Sequence, residues 1–395
     1  MNRFWKYIIS AIVILALVGT AGVAYKIYKS NYHIWLSDYV FNSPTFVENE
    51  GITDVIYVAV DHWEPGGNVE TVNRWMTDYR ALADKHIDSD GVKVQHTFYY
   101  PIESFRAFEV DSLVGLCSEG YGEIEVHLHH QDDTSESLRM LLSDGIDSLQ
   151  AHGALISPDG EIHFSFIHGN WALDNSRDDN GINYCGVNNE LTILLELGCF
   201  SDCTFPSLQH TSQPSIINKI HYAKDNPFLP KSYDSGIQSR VGLELPDDQL
   251  MIFQGSQMIN WRDWRFKTHP TIDDGDIYAD MLPSPERFDL WFRANVGVVD
   301  RPNWVFVKSF THGAAKKYNA LEANLGSAMD EMLTSVEKKY KNNNKYRLHY
   351  MTARETYNVV KAAEGGLNGN PDDYRDYILK PYIFTKLTPQ QGRSQ

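Results

Sequence analysis

The chain has 395 residues, 42% of them hydrophobic and 22% charged, the proportions of an ordinary folded protein and not of a disordered or fibrous one. A formal net charge of −17, with no Lys/Arg-rich run and no zinc-finger spacing, argues against a phosphate-backbone partner, so no nucleic acid is expected. The four cysteines, Cys117, Cys185, Cys199 and Cys203, form no C-x-x-C pair; buried thiols account for them, and a Cys199–Cys203 bridge is left open.

Tyr7 to Tyr25 carries no charge and matches the ~20 residues that cross a bilayer core. Arg3 and Lys6 precede it and Lys26 and Lys29 follow. With the N-terminal amine the leading flank is the more positive, which points to an inside N-terminus and an exported body. A cleaved signal peptide competes, with Gly22-Val23-Ala24 as its cleavage site. Residues 1–29 are thus expected to be a single-pass membrane anchor and 30–53 an aromatic stalk. One catalytic domain over 54–395 would then lie outside the cytoplasm, at a bacterial inner membrane or cell surface.

From Asp54 one theme repeats: a short apolar strand, a polar cluster at its C-terminal end, then a helical stretch. Val55–Val60 ends at Asp61-His62-Trp63-Glu64, and Val69–Lys85 reads as a helix. Val94–Tyr99 ends at Glu103. Ile124–Leu128 ends in His129-His130-Gln131-Asp132-Asp133, with a helix over Ser135–His152. His163–Ile167 closes on His168-Gly169-Asn170-Trp171; Asn188–Leu197 is helical and Cys199–Phe205 a strand. Residues 206–300 break the rhythm and are expected to form an elaborated insert over the mouth of the fold, with one strand at Leu250–Gln254. Trp304–Phe310 ends at Thr311-His312, a helix covers Leu321–Lys339, Tyr346–Met351 is the last strand and Arg354–Glu364 the last helix. Strands alternating with helices imply a parallel α/β sheet whose chemistry sits at the strands' C-terminal ends. No Gly-rich phosphate loop is present, which favours a barrel over a doubly wound nucleotide fold.

Alternate residues of a strand share a face, so Glu125, His127 and His129 point the same way. Two imidazoles with carboxylates nearby suit zinc or another first-row divalent ion, and Asp132 and Asp133 stand close enough to add an oxygen or orient a ring. Histidines satisfied by core hydrogen bonds would give the same string. In Asp61-His62 the histidine can bind metal while the aspartate takes a proton, with Glu64 able to join either role; Asp61 could instead cap the turn that follows. His312 is placed to protonate a leaving group, or to hold the rim by a structural hydrogen bond. Trp171 and Asn170, with Asp174 and Glu64, suit the flat face and hydroxyls of a sugar ring; Trp171 could equally be plain core packing.

Taken in order, VAVDHWEPG, Glu125-Val126-His127-Leu128-His129 with Asp133, FSFIHGNW, VKSFTHGA and YRLHYMTARE resemble the motifs of the polysaccharide deacetylase family (carbohydrate esterase family 4), in the wider glycoside hydrolase/deacetylase barrel group. The resemblance spans residues 54–364 apart from the insert. It implies a distorted (β/α)7 barrel, a divalent metal such as zinc, and removal of N-acetyl groups from an amino-sugar polymer. By position it makes Asp61 the base, His62, His129 and Asp133 metal ligands, and His312 the general acid. The chain departs from the family pattern in three places. His62 replaces an Asp, Asp133 replaces a His, and the Arg-Pro motif is missing; His127 therefore joins the candidate ligands. The competing functions are a glycoside hydrolase using two of Glu64, Glu103, Glu125 and Asp174, and a non-catalytic, membrane-tethered polysaccharide-binding protein.

Overall fold

The computed structural model describes residues 3–42, 51–179, 181–208, 210–265, 269–341 and 343–385. Helices surround an eleven-stranded, mostly parallel sheet. Nine of its strands are β1 (Thr53–His62), β2 (His96–Pro101), β3 (Gly122–Leu128), β4 (Phe164–His168), β5 (Cys199–Asp202), β6 (Ile220–Lys224), β7 (Gln249–Phe253), β8 (Trp304–Thr311) and β9 (Tyr346–Tyr350). From one edge the order is residues 276–277, β8, β1, β2, β3, β4, β5, β7, β6 and residues 237–238. Every pairing from β8 through to β7 is parallel, and β6 then returns antiparallel. Isolated bridges Arg240–Val299 and Val296–Phe306 link the far end of this ladder back towards β8.

β1 is the hub. One of its edges pairs with β8 from Asp54 to Asp61, while β9 pairs with residues 53–57 and β2 with residues 60–62. β1, β2, β3, β4 and β8 are buried at every position. Both faces are covered, which is why these strands read as apolar runs without polar alternation.

Alternation still divides the chemistry. Ile56, Val58 and Val60 of β1 pack with Tyr99, Ile167, Cys203, Met251 and Phe306 on the inner face. Val55, Tyr57, Ala59 and Trp63 pack outward beneath the helices with Phe98, Val126 and Phe166. The inner face is not purely apolar. Tyr99 and Ser165 share a 2.8 Å hydrogen bond, and Ser165 bonds Ser201 at 2.9 Å. Lys308 crosses the interior and donates from Nζ to the carbonyls of Cys203, Phe205 and Phe253, each at 2.8 Å. Burial pulls its pKa down, against the opposing pull of Cys203 and Asp202.

Several expectations change. The stretch over 206–300 is not a separate cover: β6, β7 (the strand expected at Leu250–Gln254) and residues 237–238 and 276–277 belong to the central sheet. It also adds the hairpin Met258–Arg265 with His269–Asp273 and a helix over Pro285–Arg293, started by the Ser284 cap. The first expected helix carries a π turn at Trp75–Tyr79 between α segments Val69–Arg74 and Arg80–Ala83. Gly326 splits the late helix into Leu321–Leu325 and Ser327–Tyr340. A helix at Ala107–Cys117 was not foreseen. All four cysteines are buried free thiols.

At the N-terminus, Arg3–Lys29 is one helix whose Ile12–Lys29 portion is long and apolar enough to cross a membrane, a test that a signal sequence also passes. Part of the expected stalk, 43–50, lies outside the described residues. The helix Leu36–Phe41 within it is tied to the body. Asp38 accepts from the Ile217 amide at 2.9 Å and from Lys219 Nζ at 2.8 Å.

Two predictions follow from buried charge. Lys308→Met removes one donor but leaves its carbonyl acceptors enclosed, so unfolding stability should fall by about 3 kcal/mol in a urea titration. A neutral or stabilised variant would show that desolvating the ammonium cancels its three bonds. His86 joins the first helix to Ser327–Tyr340 through Asp330 at 3.0 Å and Glu337 at 3.2 Å. Burial lowers its pKa, but these two carboxylates outweigh that and raise it. The stabilisation is therefore full below the ordinary imidazole pKa of about 6.5 and fades as pH rises through the raised value. The Tm advantage of wild type over His86→Asn should be larger near about pH 6 than near about pH 9; a pH-independent gap would refute the charge contribution.

Candidate metal centre

The parallel register sets the C-terminal ends of β1, β2, β3 and β8 side by side, pairing His62 with Tyr99, Pro101 with His127 and Asp61 with Thr311. Alternation sends His62, His127, His129 and His312 to the inner face. His127 Nε2 lies 3.2 Å and His129 Nε2 3.1 Å from the same oxygen, Oε1 of Glu64. The second nitrogen of each ring is committed. His127 Nδ1 lies 3.1 Å from the Ile167 carbonyl, and His129 Nδ1 lies 2.7 Å from Glu103 Oε1. Each Nδ1 donates to its own acceptor, so Nε2, now facing Glu64, is the nitrogen that an ion would take, the arrangement that such acceptors impose on liganding histidines. Glu64, His127 and His129 together could hold an ion.

His62 lies against this group, its ring centroid 4.7 Å from that of His127 and 4.3 Å from that of His312. Its Nδ1 is buried without a hydrogen-bond partner. Trp171, held at φ 49°, stands 5.8 Å from His62 and 5.4 Å from His312. It stacks on His210 at 5.7 Å, and Tyr318 covers the other side of His312 at 4.1 Å. Gly169 passes so close to His129 that a Cβ there would come within 2.4–2.7 Å of the ring.

Burial, then the neighbouring His312 and His127, drives the His62 pKa well below its ordinary value. Burial brings His312 down to about 3. For Glu64 burial works upward, but the bond to His127 and the nearby imidazoles hold it down to about 2. At His129 burial is outweighed by Glu103 and Glu64, and the pKa rises. The pocket is therefore a carboxylate among histidines, with His62 and His312 held neutral.

Not every expected residue arrives here. Asp61 turns to the outer face, opposite His62. Its Oδ1 accepts the Gly313 amide at 2.7 Å and its Oδ2 meets His96 Nε2 at 3.1 Å. Burial raises its pKa, but the base expected there is not beside the histidines. Asp133 pairs with His130 at 3.0 Å and with Ser137, away from His127 and His129. Asn170 spends its amide on the His130 carbonyl at 2.8 Å. Asp174 is wholly buried, accepts the Ser232 amide at 2.5 Å and is pushed up to about 8 by that burial. Of the expected sugar contacts, Trp171 alone lines the opening, and Glu64 is instead at its centre. Glu125 caps the irregularity in β4 through the Ser165 amide at 2.5 Å. His210 and Tyr318 were not anticipated; His210 sits in a loop and Tyr318 ends the 3-10 turn Lys316–Tyr318, so no strand pattern marks them.

No family model and no curated protein matches this chain. Among solved structures it is similar to the 4-alpha-glucanotransferase of Thermococcus litoralis, at TM-score 0.38 and 12% identity, over 78% of this chain and 40% of that one. The chain thus spans under half the length of that enzyme, and a likeness this slight carries no assignment.

Because His129 is fixed by Glu103 and cannot swing aside freely, Gly169→Ala should cost about 1–3 kcal/mol through the forced shift. An unchanged denaturation midpoint would mean that the loop yields without strain.

Proposed function

We propose that the chain is a metal-dependent hydrolase acting on a polysaccharide, and that it removes N-acetyl groups from an exported or cell-wall glycan. The observation that carries this reading is the convergence of two imidazole Nε2 atoms on one Glu64 oxygen, with each Nδ1 engaged by its own acceptor. Imidazole nitrogens with a carboxylate oxygen are a donor set for zinc, and the unpartnered His62 Nδ1 beside them is consistent with a further ligand. A divalent ion held there would supply Lewis acidity towards an acyl carbonyl.

The remaining roles belong to side chains. Glu103 orients His129 and keeps its Nε2 aimed at the centre. His312, next to His62 and lowered to about 3 by burial, arrives without the proton that the general-acid role expected from the sequence requires. Trp171 offers a partly exposed flat face for a sugar ring. The seven consecutive parallel strands β8, β1, β2, β3, β4, β5 and β7, with the bridges that link the far end back to β8, support a distorted (β/α)7 barrel of the deacetylase type. The N-terminal helix and its leading positive flank support a membrane-anchored, extracytoplasmic enzyme. A glycoside hydrolase is the second reading, favoured by Glu64 and Glu103 meeting opposite nitrogens of His129.

Incubation of the purified protein with N-acetylated glycan oligomers should release acetate. Chelator should abolish release, zinc should restore it, and His127→Ala should not be rescued. Glu103→Gln should lower the rate about 10–100-fold, as loss of an orienting partner does, while Asp61→Asn should leave metal content intact. New reducing ends without acetate, insensitive to chelator, would replace this reading with the glycosidase. Sugar binding without either product would leave a binding protein.

A further inference from the structure

A second group of donor atoms lies on the opposite side of the sheet, and the proposed activity does not use it. His130 follows His129 and so turns to the outer face; His168, ending β4, faces the same way. They meet with ring centroids 4.5 Å apart. The helix Glu190–Glu196 presents Glu190 to both: Oε1 lies 3.1 Å from His130 Nε2 and 3.9 Å from His168 Nε2. Cys185 completes the group, its Sγ 3.3 Å from Glu190 Oε2. All four residues are buried and their donor atoms lie within 4.8 Å of one another. His168 and Glu190 have no accessible surface.

We propose that His130, His168, Cys185 and Glu190 form a structural zinc site, separate from the centre at Glu64, His127 and His129. Bonds of about 2.0–2.3 Å in a tetrahedron place donor atoms roughly 3.3–3.8 Å apart, which the unfilled group already approaches. His168 Nε2 supplies the independent observation. It is fully buried, it points at Glu190, and it has no hydrogen-bond partner. An internal ion pair of His130 with Asp133 and Glu190, with the Cys185 thiol donating to Glu190, would explain the carboxylates and the thiol but not this orphaned nitrogen.

The surroundings are built to hold such a group still. Asp133 meets His130 Nδ1 at 3.0 Å, which keeps Nε2 turned towards Glu190. The Asp174 amide donates to Glu190 Oε2 at 2.5 Å, leaving Oε1 for the ion. The Cys185 loop is pinned where the Asp133 amide donates to the Cys185 carbonyl at 2.9 Å. Gly186, at φ 97°, lets it come that near, since a Cβ would stand 2.5 Å from the Asp133 backbone.

The third histidine-carboxylate group, Asp88, Asp90 and His349, is different. There the Arg375 guanidinium already neutralises Asp88 at 2.9 Å.

Four protein ligands leave no open position, so the ion would hold structure and perform no chemistry. Binding releases to solvent the Cys185 thiol proton and the proton that His130 Nε2 donates to Glu190, leaving a thiolate and a neutral imidazole on the ion. It also moves the His168 ring proton to Nδ1, so the Asn170 amide, now 3.2 Å from that nitrogen, has to turn away.

The test is cobalt substitution of the full-length protein after chelation. One equivalent of Co(II) should produce thiolate-to-cobalt charge-transfer absorption in the near ultraviolet. The band should vanish in Cys185→Ser and persist in His129→Ala, which disables only the other centre. Failure of the hydrolase reading leaves the band untouched, so the two ideas fail separately. X-ray absorption of the zinc-loaded wild type should show a sulfur scatterer at about 2.3 Å, and this decides the matter even if the serine variant does not fold. Full metal loading with no sulfur ligand, or a band that survives Cys185→Ser, would overturn the site.

Discussion

An ammonium group in the middle of the fold holds its two halves together. Lys308 stands on β8, and its three acceptors belong to the segment that follows β5 and to the last residue of β7, on the far side of the parallel array. Charge without a paired carboxylate is costly to bury, and it persists only where several dipoles converge on it. Three carbonyls aimed at one point set how far β8 stands from β5 and β7. Four residues further along β8, on the same face, is His312. The distance across the mouth is thus fixed from below.

Above that level, geometry follows from two simple facts: parallel neighbours end together, and alternate residues face alternate ways. The first brings residues separated by some 250 positions in the chain, His62 and His312, to within 4.3 Å. The second sorts ligands between two environments. On the inner side the rings look into an opening flanked by Trp171. On the outer side they look into a sealed space beneath the helix Glu190–Glu196. The inner donors keep exposed neighbours and an irregular shell, as reactive centres do; the outer donors are enclosed on every side, as structural ones are.

Much of this was legible in the chain, though unevenly. Apolar runs ending in His, Asp or Glu located most strands of the array within two or three residues, because strands buried on both faces leave that signature. His127 and His129 were legible because period-two alternation was applied to them. The same rule, applied to Asp61-His62, would have placed the two residues on opposite faces, so they could not share one centre. Asp133 was misplaced for a related reason. It enters from the turn before a helix, where strand parity no longer holds, and it follows His130 to the outer side. Lys308 sits inside a run of apolar residues with no local mark of its role; only the carbonyls across the interior explain it. The donors of the outer group come from two strand ends, a loop and a helix, spread over sixty positions, and no local spacing links them. The insert misled because β6 is short and bounded by polar turns, and because the apolar run of β7, though legible as a strand, carries no local sign that it joins the central sheet beside β5.

The adjacency of His129 and His130 has a further consequence. These two consecutive rings point in opposite directions from the end of β3, and each reaches partners on its own side: Glu64 and Glu103 for one, Asp133 and Glu190 for the other. A slip of one residue in the pairing of β3 with β2 and β4 would exchange the sides of the two rings. Both clusters would lose their partners in the same step. Any bound ion would therefore act as a lock on register, and the alignment of a single strand is shared by two centres that never touch.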